Sequence, residues 1–515
     1  MPSTLISRWL ERATDEGPAL YDANGAVSWR GVVTRADRVA ASLLRGRSSL
    51  EGERVALLIA GGDSFLACFF GVLRAGGVVV VLSPLHPAPE TKYYCDDAGV
   101  KTVLASAEFA DRVRFLAPER ALLAAESIGE DAGGTDPACD PREDAPAVQL
   151  YTSGTTGKPK GAVLTHGNLA VQQALLARAW GWEDRDVLLH VLPLHHMHGL
   201  AIALLSAVGA GAATRFLRAA TPGTAFDARA TWEAMAGSSV FMAVPTIHGR
   251  LFAAFDAADG PTRARWTAHA QALRLVTSGS AALPVATGER WRSLTGAYPL
   301  ERFGMTEIGV GASNPLAPGA RRPGTVGFPL PTVKTRVVDD ELWVAGPSVF
   351  AAYHERPEAT REAFATVDGD RWFKTGDTVA FDADGFMRIL GRTSVDILKS
   401  GGYKISALEI EEILREHPAV AEVAVVGVPD DALGDRVVAC VVAREGLPAG
   451  CTEEDLRAFA KERIAPYKVP RQVVLMKDLP RNALGKVLKP QLSSRVGTVQ
   501  VAPTGDAERG GVRRS

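Results

Sequence analysis

The chain has 515 residues, too many for one ordinary hydrophobic core, so at least two domains are expected. Hydrophobic residues make up 46% and charged residues 23%, and 57 basic against 59 acidic side chains leave a net charge of −2. That balance marks a soluble globular protein and gives no electrostatic case for nucleic acid or an anionic membrane as a partner.

In chain order, the first twenty residues mix apolar positions with Arg8, Glu11, Arg12, Asp15 and Glu16. They hold no uninterrupted apolar core of signal-peptide length, and their acidic residues argue against a transit peptide, so a cytoplasmic location is expected. Cys68, Cys95, Cys139, Cys440 and Cys451 are scattered with no C-x-x-C, which reads as free thiols in a reducing compartment. RVALLIA (54–60) reads as a strand, SFLACFFGVLRAG (64–76) as a helix and VVVVL (78–82) as the next strand. The five-residue apolar run is far too short to span a bilayer. Gly-Gly-Asp-Ser before the helix has the look of a carrier-protein serine, but strands on both sides favour Asp63 or Ser64 as a helix N-cap.

The alternation recurs: VQLYTS then NLAVQQALLARAW, SVFMAV then TIHGRLFAAF, LRLVTS then VATGERWRSL. This rhythm predicts a large α/β domain with mainly parallel sheets. After Gly324 the text turns β-rich and Gly/Pro-punctuated, which predicts a smaller β subdomain. A second shift falls near residue 391. From there a strand, helix and strand pattern predicts a small α+β domain, so the expected division is 1–391, 392–494 and a polar, disordered tail, 495–515.

The run YTSGTTGKPKG (151–161) is glycine-rich and follows a strand, yet it is not a Walker A loop. Gly154 and Gly157 stand too close, and Pro159 occupies the place of the magnesium-binding hydroxyl. Its hydroxyls and backbone amides still suit a phosphate chain. In ERFGMTE (301–307), Glu307 offers the hard oxygen donor that Mg²⁺ takes, and Thr306 offers a phosphate donor. In FKTGD (373–377), Asp377 can accept from vicinal ribose hydroxyls, or can simply belong to a turn. PRNALGKVLK (480–489) carries Lys486 in a Gly-Lys turn. The three histidines of HHMHG (195–199) could chelate a metal, but no acidic or thiol partners are evident, so pocket wall is the better reading.

Together and in this order, YTSGTTGKPKG, ERFGMTE, FKTGD, GRTSVDILKSGGYK and PRNALGKV resemble the adenylate-forming superfamily of acyl-CoA synthetases, luciferases and peptide-synthetase adenylation domains. The resemblance implies that superfamily's fold, a large N-terminal domain and a small mobile C-terminal one, and ATP cleavage between the α and β phosphates. It implies that Thr152, Ser153, Gly154, Thr155, Thr156, Gly157, Lys158, Pro159 and Lys160 hold the β and γ phosphates. Thr306 and Glu307 would serve the α-phosphate and Mg²⁺, and Asp377 and Arg392 the ribose. Lys486 would meet the reacting oxygens, where a preorganised ammonium stabilises building charge. Asp396 would be the interdomain hinge. Gly401, Gly402, Tyr403 and Lys404 would line the CoA channel once the small domain has rotated.

Within the superfamily, LPLHHMHGL, VPTIHGRL, SGSAALP and SVDILKSGGYKISALEIE resemble the malonyl-CoA synthetases. Malonate keeps a second carboxylate that must be buried beside a cation, preferably a bidentate guanidinium. Arg250 and Arg302 are the two candidates, with His196, His198 and Ser280 as further pocket residues. TEIGVGASNP departs from the TE-x-x-M-N-T-S frequent in that family. Gly309, Val310 and Gly311 leave more room, which makes methylmalonate an expected substrate too. The partners expected are therefore ATP with Mg²⁺, malonate or methylmalonate, and CoA. The alternatives are a ligase for another acid, an enzyme that loads a carrier protein, or a non-catalytic relative. The presence of Lys486, Glu307 and Asp377 argues against the last.

Overall fold

The computed structural model describes residues 3–22, 25–130, 141–152, 159–217, 226–401, 403–430, 433–444, 452–481 and 487–497. The chain divides into two compact units. The larger holds residues 1–375 and 379–389, and the smaller holds 376–378 and the chain from Leu390 onward.

Two large sheets dominate the larger unit. In the seven-stranded sheet, Arg54–Leu58 pairs in parallel with Val78–Val81 and Thr102–Ala105, and Val78–Val81 pairs with Pro146–Thr152. The four valines of Val78–Val81 are all buried, as expected of a central parallel strand covered on both faces. In the nine-stranded sheet, Val240–Ala243, Leu275–Ser278 and the start of Leu300–Met305 run parallel, and Gly309–Ser313 folds back antiparallel. Helices such as His166–Trp180, closed at its start by a Thr165–Asn168 capping box, alternate with these strands. The third sheet is the β-rich segment expected after Gly324: Lys334–Val338, Glu341–Ala345, Phe364–Val367, Asp370–Phe381 and Met387–Arg392.

The smaller unit packs the helices Ala407–Arg415, Glu453–Lys461 and Lys489–Gly497 with a five-stranded sheet of Ile397–Ser400, Tyr403–Ser406, Val420–Asp430, Gly434–Ala443 and Gln472–Met476. Its own core is built on residues such as Ile405, Ile410, Val425 and Val441. Among the described residues no helix is long and apolar enough to cross a membrane. Cys68, Cys95 and Cys440 are buried free thiols.

Two local expectations need correction. The helix after strand Arg54–Leu58 starts at Asp63, and its N-cap is Gly62, with no side-chain cap. The Asp63 carboxylate pairs with Arg35 instead, and Arg35 Nη2 also donates to Ser64 Oγ at 3.0 Å. The Arg35 guanidinium thus engages both side chains expected to cap the helix. FKTGD is not a turn either. It lies inside the twelve-residue strand Asp370–Phe381, where Gly376 takes φ of +71° and lets the strand continue through a local kink.

Candidate active site

The glycine-rich run expected to hold phosphates lies between the two strands of a hairpin. Strands Pro146–Thr152 and Lys160–Thr165 are antiparallel, with Tyr151 opposite Gly161 and Thr152 opposite Lys160. Ser153, Gly154, Thr155, Thr156, Gly157 and Lys158 lie outside the described residues, so the structure gives the frame of the loop. That frame is held from several sides. Tyr93 Oη donates to Pro159 O at 2.7 Å. Tyr151 Oη donates to Asp97 Oδ2 at 2.8 Å, and Arg356 pairs with the same carboxylate. Buried Gln149 accepts from Arg54 Nε at 2.8 Å and donates to Tyr151 Oη at 3.0 Å.

Glu307 follows strand Leu300–Met305 and is buried, which rules out a solvated turn glutamate. Its backbone carbonyl accepts from Phe350 N at 2.8 Å, and Tyr353 Oη donates to its Oε1 at 2.9 Å. Thr306 beside it is half-buried.

Arg302 shares that strand and is only 3% exposed. Its Nε and Nη2 have no hydrogen-bond partner among the described residues. Burial alone pulls the guanidinium down to about 9, with no anion to restore it. The group lies tightly across Gly279: a Cβ there would come 2.5 Å from Arg302 Cζ, so any larger residue would push the guanidinium aside. Next in the chain is Ser280, at φ +68°, whose Oγ meets His198 Nδ1 at 3.2 Å. His198 is buried, and burial first, then the Arg302 charge, holds its imidazole well below the ordinary range, in the neutral form. Thr277 Oγ1 and Ser278 Oγ, on the strand that pairs with Leu300–Met305, are also buried without partners among the described residues. A cation with unspent donors, flanked by neutral polar groups, is a receptor for an anion.

Of the other expected pocket residues, His196 is largely buried and packs tilted against His195, ring centroids 4.0 Å apart. Burial brings it down to about 4. Among the described residues no group of three His, Cys, Asp or Glu side chains could hold a metal ion. Arg250 is exposed on helix Pro245–Asp256, unlike the buried Arg302. Val310, in the strand that departs from the family pattern, is buried, and its N donates to Gln172 Oε1 at 2.8 Å.

In the smaller unit, buried Asp377 meets Arg392 Nε at 3.1 Å. Arg392 N donates to Asp396 Oδ2 at 2.9 Å, closing a tight turn. Gly391, at φ +130°, is required there, since a Cβ would sit 2.3 Å from Asp396 Cβ. Asp396 and Glu411 share the buried Lys489 ammonium, 2.7 Å from Glu411 Oε1. Gly401 and Lys404 are exposed, and the exposed Tyr403 stacks on Tyr467 at 4.2 Å. Gly402 and Lys486 lie outside the described residues.

Sequence reasoning missed Tyr353, Tyr93, Gly279 and Lys489. A glycine immediately before the expected Ser280 was the one visible signal among them.

The mixed α/β architecture with these motifs defines an adenylate-forming enzyme. The AMP-binding enzyme family model matches residues 7–354, and the AMP-binding enzyme C-terminal domain model matches 409–486; the chain belongs to this family. It is 39% identical to the mitochondrial malonate–CoA ligase ACSF3 of Homo sapiens, over 92% of this chain and 89% of that protein. Identity to the malonate–CoA ligase of Arabidopsis thaliana is 38%, over 87% and 78%. The crystal structure of ATP-bound MatB from Rhodopseudomonas palustris aligns with a TM-score of 0.85 at 32% identity, covering 97% of this chain and all of that one.

Proposed function

We propose that this protein is an AMP-forming malonate–CoA ligase that also accepts methylmalonate. The observation that carries the reading is Arg302: a buried guanidinium whose Nε and Nη2 have no protein partner among the described residues. Malonate's distal carboxylate supplies the missing anion, and two parallel N–H···O bonds orient it. His198 and Ser280 line the same pocket as neutral donors and acceptors, and His196 and Arg250 complete its approach. Gln172 Oε1 fills the place a Cβ would take at Gly309, so the extra room expected at that glycine is absent, and acceptance of methylmalonate is left to the substrate panel.

The reaction runs in two steps. One oxygen of malonate's reacting carboxylate attacks the α-phosphorus of ATP, the α–β phosphoanhydride bond breaks, and pyrophosphate leaves. The CoA thiolate then attacks the carbonyl carbon of malonyl-adenylate and expels AMP. No protein nucleophile is needed, so the residues position charge. Loop 152–160 grips the departing pyrophosphate. Thr306 and Lys486 meet oxygens of the α-phosphate, and Asp377 and Arg392 hold the ribose. The buried carboxylate of Glu307 fits a hard divalent cation, and Mg²⁺ held there would neutralise phosphate charge. A swing about the segment near Asp396 exchanges Lys486 for the CoA channel of Gly401, Gly402, Tyr403 and Lys404. We place the enzyme in the cytoplasm, a reading to be checked by cell fractionation because several relatives are named mitochondrial.

The test is a panel of malonate, methylmalonate, succinate, acetate and octanoate, each assayed for CoA-dependent AMP release. Malonate and methylmalonate are expected to lead. Preference for acetate or octanoate would overturn the assignment of the acid.

A further inference from the structure

Tyr353 belongs to a two-residue strand, Ala352–Tyr353, laid antiparallel on the strand that leaves the phosphate loop, with Tyr353 opposite Ala162. Its flanks are pinned there: His354 N donates to Gly161 O at 2.7 Å, and Ala351 N to Val163 O at 3.0 Å. The ring packs edge-on against Phe350 with centroids 4.8 Å apart. From this fixed position the phenol donates to Glu307 Oε1 at 2.9 Å. The Lys160 ammonium lies over the same ring, 5.4 Å from its centroid. Phe350 N, meanwhile, holds the Glu307 backbone at 2.8 Å. Tyr353 in this short strand and Phe350 just before it therefore fix Glu307 at side chain and main chain, and the tyrosine also meets the last lysine of the phosphate loop.

We infer that Tyr353 is the positioning residue for the metal-binding carboxylate, an inference that rests on reading Glu307 as the Mg²⁺ ligand. A ligating carboxylate must be held in one orientation, because ordering it at the moment of binding costs entropy. The partner that does this should not cancel its charge. A lysine or arginine at this place would compete with Mg²⁺, whereas a neutral phenol orients the group and leaves it anionic. Lys160 over the ring ties the same residue to the loop that grips the phosphates, so carboxylate and loop are set by one support.

The experiment measures Mn²⁺ binding to the full-length enzyme with a non-hydrolysable ATP analogue, by water-proton relaxation. Tyr353→Phe removes one oxygen and keeps the ring on Phe350, so the fold is retained; a thermal melt run alongside verifies this. Partners of this kind tune metal affinity by about 10–100-fold, and a loss of about tenfold or more is expected. The half-saturating Mg²⁺ of malonate-dependent pyrophosphate exchange should rise in parallel, with KM for malonate unchanged. In a Glu307→Gln background, Tyr353→Phe should cost nothing further, since it acts through that carboxylate. Mn²⁺ affinity within twofold of the parent, or an undiminished loss in the Glu307→Gln background, overturns the inference. If Glu307→Gln itself leaves Mn²⁺ affinity unchanged, the Glu307 reading falls, and this one with it.

Discussion

Arg302 in the larger unit and Lys489 in the smaller one are both buried cations, yet the chain treats them in opposite ways. Lys489 lies between Asp396 and Glu411, and Glu411 is engaged further by Val425 N at 2.9 Å. Burial works against its charge, but the two carboxylates more than offset this and leave its pKa raised. Among the described residues Arg302 has no such anion, and burial pulls it down to about 9. A folded chain rarely leaves a buried charge uncompensated. Where the compensation is present, the charge is architecture, here tying the turn at Asp396 to the helix that starts three residues after Lys486. Where it is missing, the natural conclusion is that a ligand brings it.

The sharpest way to break this contrast is to remove each cation and follow stability. Lys489→Met strands the buried Glu411 carboxylate and the half-buried Asp396 one, and should cost about 3–5 kcal/mol, the usual penalty for deleting one partner of a buried pair. Urea unfolding measures it, and KM for malonate should stay near its original value. A loss below about 1 kcal/mol, the scale of an exposed pair, would erase the distinction. Arg302→Leu should do the reverse. Removing an uncompensated charge should leave the unfolding midpoint unchanged or higher. Malonate kcat/KM should fall by about 2–5 kcal/mol, because the substrate's distal carboxylate would then be buried unpaired. Acetate, which has no second carboxylate, should be turned over about as before. Unchanged malonate kcat/KM would remove Arg302 from the pocket.

The same contrast explains what the sequence could disclose. The alternation of β-branched runs and amphipathic segments was enough for parallel sheets, because burial on both faces dictates composition directly. The smaller unit resumes at Leu390. Motif order singled out Glu307 and Asp377, and both are buried rather than solvated. Arg302 and Arg250 looked alike as letters. One is 3% exposed and the other lies exposed on its helix, a difference created only by tertiary packing across Gly279. Asp63 looked like a cap until Arg35, distant in sequence, claimed it. Tyr353 carried no periodic signal, because its role depends on a two-residue strand meeting a partner far away in the chain.

A smaller effect should sharpen the comparison without any mutation. Burial lowers the proton affinity of Arg302 in the folded protein, from its ordinary value of 12.5 down to about 9. Malonate needs the charged guanidinium, so its KM, measured by pyrophosphate exchange, should be flat below that pKa. Above it KM should climb by up to about tenfold per pH unit, equal to about 1.4 kcal/mol. The sign for stability is the opposite. Above that pKa the unfolded chain keeps a proton that the folded chain has released, so this group's contribution to stability rises with pH. Lys489 moves the other way. Its folded pKa is raised, so its stabilising contribution is complete below 10.5 and is lost only as pH climbs through the higher folded value. Between the two values the substrate site should weaken while the Lys489 cluster stays intact. Arg302→Leu should abolish that rise in KM, and Lys489→Met should leave it in place.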